Sequence, residues 1–439
     1  MNTQNTRISA NTAISLVVAN MIGTGVFTSL GYQVLGIQSY FALLGLWIVG
    51  GLIALCGALC YGELAAAMPR SGGEYHYLSK IYHPSIGFLS GWVSATVGFA
   101  APTALAAMAL GKYASSVLPA LNDQYLAVGV VISVAIIHSI SIKAGSYFQM
   151  LFTSLKVVLI VFFIGAAFFI TPSAQQQSVA WFPVVSADID ALFSPAFAVS
   201  LIYVSYAYSG WNAAVYMTGE IENPQKNLPR ALLTGTALVT VLYVLLNYAF
   251  LKVAPLTALA GKPEVGYVAA SFIFGSTGGN LMGLTIALLL ISTVSAMVFA
   301  GPRVVQTMGE DLYALRFLAK KNERNIPLNG IWFQTILTVI LIVTSSFEAV
   351  LTYSGFVLSL FTFFTVLGLF ILRWKNPDLP RPYKTWGYPV TPIIFLSLTV
   401  WTLWFIFRDK TTESLYGLGT VLLGGLVYWF AIRGKEAKE

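Results

Sequence analysis

Val18-Ala-Asn-Met-Ile-Gly-Thr-Gly-Val-Phe27 and Tyr203-Val-Ser-Tyr-Ala-Tyr-Ser-Gly-Trp-Asn212 are two apolar stretches interrupted near their middles, the first at Gly23, Thr24 and Gly25, the second at Gly210. Taken singly, glycine in an apolar run lets helices pack closely, as small residues do in membranes. Taken as a pair they say more. Short glycine-interrupted segments at corresponding positions of two halves mark the ligand site of a carrier. An unwound stretch frees backbone N–H and C=O groups, which membrane depth tolerates only where protein or a cavity covers them. Freed N–H groups and a positive helix end attract a carboxylate, while freed carbonyls accept hydrogen bonds from an ammonium. No charged side chain is needed for either task, so the residues suit a zwitterion.

The remainder of the chain supplies the setting. Of 439 residues only 9% are charged and 57% are hydrophobic, and the mean hydropathy is +0.77. A soluble domain carries roughly a quarter of its residues charged, so lipid must be the main solvent. Each spanning helix takes about 20 apolar residues. Apolar runs between polar breaks give twelve candidate spans, near 10–33, 41–67, 86–118, 125–142, 147–171, 192–222, 230–253, 281–308, 329–345, 349–372, 389–407 and 413–432. Strand-period alternation is absent, which excludes a β-barrel and leaves an all-α integral membrane fold. No small-residue cleavage site follows the N-terminus, so the first span is expected to be retained.

The net charge of +7 comes from loops, with no nucleic-acid surface implied. With the N-terminus inside, only Lys112, Lys252, Lys262, Arg408 and Lys410 of the 24 Lys/Arg residues fall outside, and Lys156 lies within a span. That bias is what the positive-inside rule expects, so both termini are placed in the cytoplasm of a cell-membrane protein. Cys56 and Cys60 are one turn apart on the second span and read as packing. His76, His83 and His138 show no metal-ligand spacing, and no cofactor is implied. The spans carry neither a catalytic constellation, as a membrane enzyme needs, nor the repeated filter or charged rings of a channel.

Five segments carry a family resemblance: Ile22-Gly-Thr-Gly-Val-Phe27, Tyr61-Gly-Glu-Leu-Ala-Ala-Ala-Met-Pro-Arg-Ser-Gly-Gly-Glu-Tyr75, Tyr208-Ser-Gly-Trp-Asn212, Gly219-Glu-Ile-Glu-Asn-Pro224 with Pro229-Arg230, and Arg381-Pro-Tyr-Lys-Thr-Trp-Gly-Tyr-Pro389. The chain resembles permeases of the amino acid–polyamine–organocation superfamily, closest to the L-type amino acid transporter branch. The resemblance implies a single transmembrane domain with the LeuT-type fold. Two inverted repeats of five helices (about 10–171 and 192–372) would have discontinuous helices 1 and 6, with two extra helices at about 389–432. It implies alternating access around a central site. Thr24 and Gly25 would bind the substrate carboxylate, and the carbonyls of Met21, Tyr206 and Ser209 the amino group. Ile22, Gly23, Ala207 and Gly210 complete the two unwound stretches, and Tyr206 matches an aromatic gate.

Cationic and polyamine-carrying relatives place a carboxylate on the sixth helix near the break. Here Ser209 and Asn212 hold those positions, and no Asp or Glu occurs between Phe193 and Gly219. A second cationic group would be desolvated without a partner, at several kcal/mol. A neutral amino acid is therefore expected, with a cationic amino acid or polyamine exchanger as the alternative. Pro102, Leu105 and Ala296 are the further pocket candidates. Lys156, in Thr153-Ser-Leu-Lys-Val-Val158, is a charge at membrane depth, where such residues face the protein interior and usually serve function. By resemblance it takes the place of a sodium ion, bonding first-helix carbonyls or the hydroxyl of Ser292 or Ser295. Sodium independence follows, with proton symport and amino-acid exchange both open, as are monomer and homodimer. Glu63, Arg70, Glu74, Glu220, Glu222, Arg230 and Arg303 gather at the cytoplasmic ends, either as a solvated rim or as an inner gate of ion pairs.

Overall fold

The computed structural model describes residues 8–140, 145–170, 177–311, 315–324 and 326–436. Arg7, Lys143 and Lys438, which count toward the charge bias, lie outside the described residues. Among those described the chain is helical throughout, with a lone backbone bridge between Ile8 and Ile221 and no strand.

The first span is two helices, α1 (Ala10–Met21) and α2 (Gly25–Gly36), parted by Ile22, Gly23 and Thr24. α3 (Tyr40–Ala67) begins at Ser39, whose hydroxyl accepts from the Ala42 N–H and so satisfies a first-turn donor. A short α4 (Gly73–Ile81) leads to α5 (Pro84–Val93), which runs through a π-helical turn at Ser94–Gly98 into α6 (Ala100–Val117). α7 (Asp123–Ile140) and α8 (Gly145–Phe169) follow. A short α9 (Ser186–Leu192) precedes α10 (Pro195–Tyr208), which breaks at Ser209–Asn212 and resumes as a 3₁₀ segment, Ala213–Glu220.

Next come α11 (Pro224–Val253), a single turn α12 (Leu256–Leu259), and α13 (Val265–Asp311), which is kinked at Gly275. The chain ends with α14 (Arg316–Ala319), α15 (Leu328–Thr344), α16 (Phe347–Lys375), α17 (Val390–Asp409) and α18 (Thr411–Glu436).

Among the described residues ten helices, with α1–α2 and α5–α6 each taken as one, are long and apolar enough to cross a membrane. An eleventh arises if the bent pair Ser186–Leu192 and Pro195–Glu220 is one span; Leu328–Thr344 is a shorter apolar helix. Two boundaries differ from the sequence reading. α11 starts at Pro224, not near 230, because proline at a first helical position gives up an N–H that has no partner there anyway. α13 starts at Val265, not near 281: across the glycines and serines of 271–279 only Gly275, at φ +71, leaves helical geometry.

Burial sorts the helices. α1 to α6 and α13 are mostly enclosed, whereas α7, α8, α17 and α18 turn apolar side chains such as Ile136, Ile137, Val158, Trp404 and Leu422 outward. Outward apolar faces of that extent belong against lipid. Cys56 and Cys60 are free thiols buried inside α3.

Candidate substrate site

The two breaks lie against each other. A Cβ built on Gly25 would stand 2.5 Å from the Ala207 Cα, and one on Gly210 2.7 Å from the Asn20 carbonyl oxygen. Real side-chain atoms do not come so near, so glycine is what lets α2 meet α10 and the second break meet the end of α1. Gly210 also adopts φ +97, a conformation that costs other residues about 1 kcal/mol or more.

Helix ends converge at this crossing. α1 and α10 arrive with their carbonyl ends at Met21 and Tyr208, while α2 departs with its N–H end at Gly25. Thr24 stands at the cap of α2 but makes no side-chain capping bond, so its buried hydroxyl is turned instead toward the Tyr206 phenol. The first-turn N–H groups of α2 thus have no side-chain acceptor, the arrangement that receives an anion.

The carbonyls are less free than the sequence implies. The Met21 oxygen accepts from both the Gly23 N–H at 2.8 Å and the Tyr243 hydroxyl at 2.5 Å, which occupies both of its lone pairs. The Tyr206 oxygen accepts from the Ser209 N–H at 2.9 Å, leaving one. Tyr243 of α11 went unnoticed in the sequence. It belongs to an aromatic wall with Trp47 of α3 and Tyr208 of α10, ring centroids 5.1–6.1 Å apart. The Tyr208 hydroxyl donates to the Trp47 carbonyl. On the other side Tyr113 of α6 donates to the Phe27 carbonyl and accepts from the Gly266 N–H, tying α2 to α6 and α13.

Lys156 is buried on α8 and its ammonium donates to the Ile22 carbonyl at 3.3 Å and to the Thr293 hydroxyl at 2.7 Å. The carbonyl is on the first broken helix, as expected. The hydroxyl is not one of those expected: Ser292 bonds the Leu289 carbonyl of its own helix, and Ser295 pairs with His138 at 2.8 Å. Successive residues of an α-helix are about 100° apart, so Ser292 and Ser295 share a side that Thr293 does not. His138 and its neighbours Val298, Phe299 and Pro302 line a cavity of about 300 Å³ away from the breaks. Of the further candidates, Leu105 is fully buried, Pro102 and Ala296 are half-buried on α6 and α13, which pack together, and the Asn212 amide donates to Glu74 at 3.0 Å.

The charges at the helix ends are paired in a way the sequence did not indicate. Glu63 is wholly buried, and Arg373 grips it through two bonds of 2.8 and 2.6 Å. Arg381 stands 3.4 Å away, and the Thr385 N–H donates at 2.7 Å. The Arg381–Pro389 motif is thereby explained: it folds back onto the second span. Glu63→Gln leaves these donors facing a neutral amide, and losing one partner of a buried pair costs about 3 kcal/mol. The expected outcome is a melting temperature several degrees lower for the purified protein, checked by a thermal-shift assay.

Residues 8–427 match the family model described as amino acid permease. Among curated proteins, the chain is 28% identical to the b(0,+)-type amino acid transporter 1 of Mus musculus, over 95% of this chain and 86% of that protein. It is 29% identical to the Large neutral amino acids transporter small subunit 2 of Homo sapiens, over 96% of this chain and 79% of that protein. Broken helices, a membrane-length helical framework and a match along nearly the whole chain agree: the protein belongs to the amino acid permease family of the amino acid–polyamine–organocation superfamily, a family of amino acid transporters.

Proposed function

We propose that the protein is a sodium-independent secondary transporter of neutral L-amino acids, working by alternating access as a proton symporter or an amino-acid exchanger. The observation that carries this reading is the meeting of the two breaks, at Gly25 with Ala207 and at Gly210 with Asn20, beside an uncapped helix start. In this reading Thr24 and the Gly25 N–H take the carboxylate, and the Tyr206 and Ser209 carbonyls take the amino group. Met21 joins them only when Tyr243 releases its carbonyl. Ile22, Gly23, Ala207 and Gly210 shape the cleft, Tyr206 gates it, and Leu105, Pro102 and Ala296 bound the side chain. The Lys156 ammonium, bonded to Ile22 and Thr293, stands in for a sodium ion.

The bent pair α9–α10 and the short α15, added to the ten longer spans, support twelve crossings in the LeuT-type arrangement of two inverted repeats and two extra helices. Both termini are placed in the cytoplasm by the loop charges, in a cell-membrane carrier acting as a monomer or homodimer.

One observation favours the cationic alternative: Glu74 brings a carboxylate within hydrogen-bond distance of Asn212. Its contacted oxygen already holds two donors, which supports the neutral reading. Purified protein in liposomes decides between them. Alanine or leucine should compete for uptake at concentrations more than about 100-fold below arginine or putrescine, the equivalent of about 3 kcal/mol for an unpaired buried charge. Replacing sodium by choline should change nothing. Arginine competing as well as leucine, or a sodium requirement, sinks this reading.

A further inference from the structure

The Ser71-Gly-Gly-Glu74 turn wraps the 3₁₀ half of the second broken helix. Ser71 Oγ accepts from the Gly219 N–H at 2.9 Å. Gly72 and Gly73 take φ +121 and +53, and a Cβ on Gly73 would strike the Tyr216 ring at 2.7 Å. Glu74, which follows them, is buried on α4. Its Oε1 receives the Tyr61 hydroxyl of α3 at 2.6 Å and the Asn212 amide at 3.0 Å. One carboxyl thus joins α3, α4 and the second break.

Both donors land on the same oxygen. A protonated acid can keep both bonds, its carbonyl oxygen having two lone pairs and its second oxygen carrying the proton. The titratable groups facing Glu74 from the elements around it are phenols, Tyr61 on α3, Tyr77 on α4 and Tyr216 on the 3₁₀ segment. From α16, the Thr365 hydroxyl donates to the Phe361 carbonyl and lies beside the Tyr61 phenol. None of these is a cation that would hold the carboxylate ionised. Burial pushes the carboxyl up to about 7, against the opposing pull of Tyr61 and Asn212.

We propose that Glu74 is a positioning residue for transport: in its protonated form it latches Asn212 and the 3₁₀ segment onto α3 and α4, and when that segment swings away the carboxyl gives its proton to cytoplasmic water. The inference rests on alternating access as read above, and on the cytoplasmic placement of this face. The sign follows from linkage. A carboxyl whose proton is held more tightly in the latched arrangement favours that arrangement most fully at acid pH, below its ordinary value when hydrated. The advantage is lost as pH rises through about 7.

The test is exchange by the full chain in liposomes between pH 5.5 and 8.5, matched on both sides, with L-leucine and L-arginine as separate probes. For the wild type, exchange should climb about tenfold, around a midpoint near pH 7, as one group loses its proton. Glu74→Gln mimics the protonated acid and should remain on the slow acid limb throughout. Tyr61→Phe removes a donor that steadies the carboxylate, so its midpoint should move to higher pH. A flat wild-type profile, a Glu74→Gln profile matching that of the wild type, or an unmoved Tyr61→Phe midpoint each overturns the proposal. If Glu74→Gln fails to fold, Tyr61→Phe alone decides. Which probe is exchanged tests the substrate reading separately, since the latch acts on either.

Discussion

Gly25→Ala is expected to abolish transport while leaving a folded protein. The added methyl would stand 2.5 Å from the Ala207 Cα and 2.6 Å from its Cβ. Carbon atoms settle at about 3.5–4.0 Å, and a backbone atom cannot rotate out of the way, so α2 must back off from α10 by about 1 Å. The rest of the helix framework is tied elsewhere, by Tyr113 to Phe27 and by the aromatic wall behind Met21, so the displacement concentrates at the crossing. The N–H end of α2 and the carbonyl end of α10 then no longer meet one ligand together. Losing two hydrogen bonds to a charged carboxylate forfeits about 3 kcal/mol, or about 100-fold in affinity. Uptake in liposomes, with size-exclusion chromatography as the folding control, checks this. Wild-type affinity in Gly25→Ala would mean that the ligand lies elsewhere.

Lys156→Met is likewise expected to separate function from stability, here through a buried charge. The ammonium lies buried and its two hydrogen-bond partners, a carbonyl and a hydroxyl, are neutral. Placing such a charge at membrane depth costs about 2.5–3.5 kcal/mol. Methionine keeps the stem and removes the charge, and apolar replacement of buried ions is often neutral or stabilising. The melting temperature should therefore hold or rise. Transport should fall about 100-fold, because Ile22 and Thr293 lose the donor that joins the first break to α13 and α8, a loss of about 3 kcal/mol for bonds made by a charged donor. A variant that melts lower yet transports normally would reduce Lys156 to a structural residue.

How much of this was legible in the sequence depended on whether backbone or side chains carried it. The breaks were legible because glycine within an apolar run is a backbone signal, and both breaks formed where Gly23, Gly25 and Gly210 stand. The start of α13 was not, since Gly278 and Gly279 resemble Gly275 in the sequence and only the structure distinguishes the kink from the helix. Lys156 could be singled out as a charge among apolar residues, but its choice of Thr293 over Ser292 and Ser295 depends on helix rotation, which a periodic pattern does not fix. Glu63 and Arg373 are 310 residues apart, and nothing local marks them as partners. Tyr243 was hidden for the opposite reason: in a chain with 22 tyrosines, one that seals the Met21 carbonyl looks like any other.

The lone bridge at Ile8 has a mechanical meaning. Its N–H donates to the Glu220 carbonyl at 2.8 Å, and its own carbonyl accepts from the Glu222 N–H at 2.9 Å. The start of α1 is thereby spliced to the far end of the 3₁₀ segment, so in the alternating access proposed above the pieces beside Gly23 and Gly210 would be ganged like paired shutters on one rod. Because the splice is made by peptide groups, it is indifferent to the side chain at position 8; losing the N–H there would remove the bond to Glu220 and leave the one from Glu222, so half of the splice would still hold.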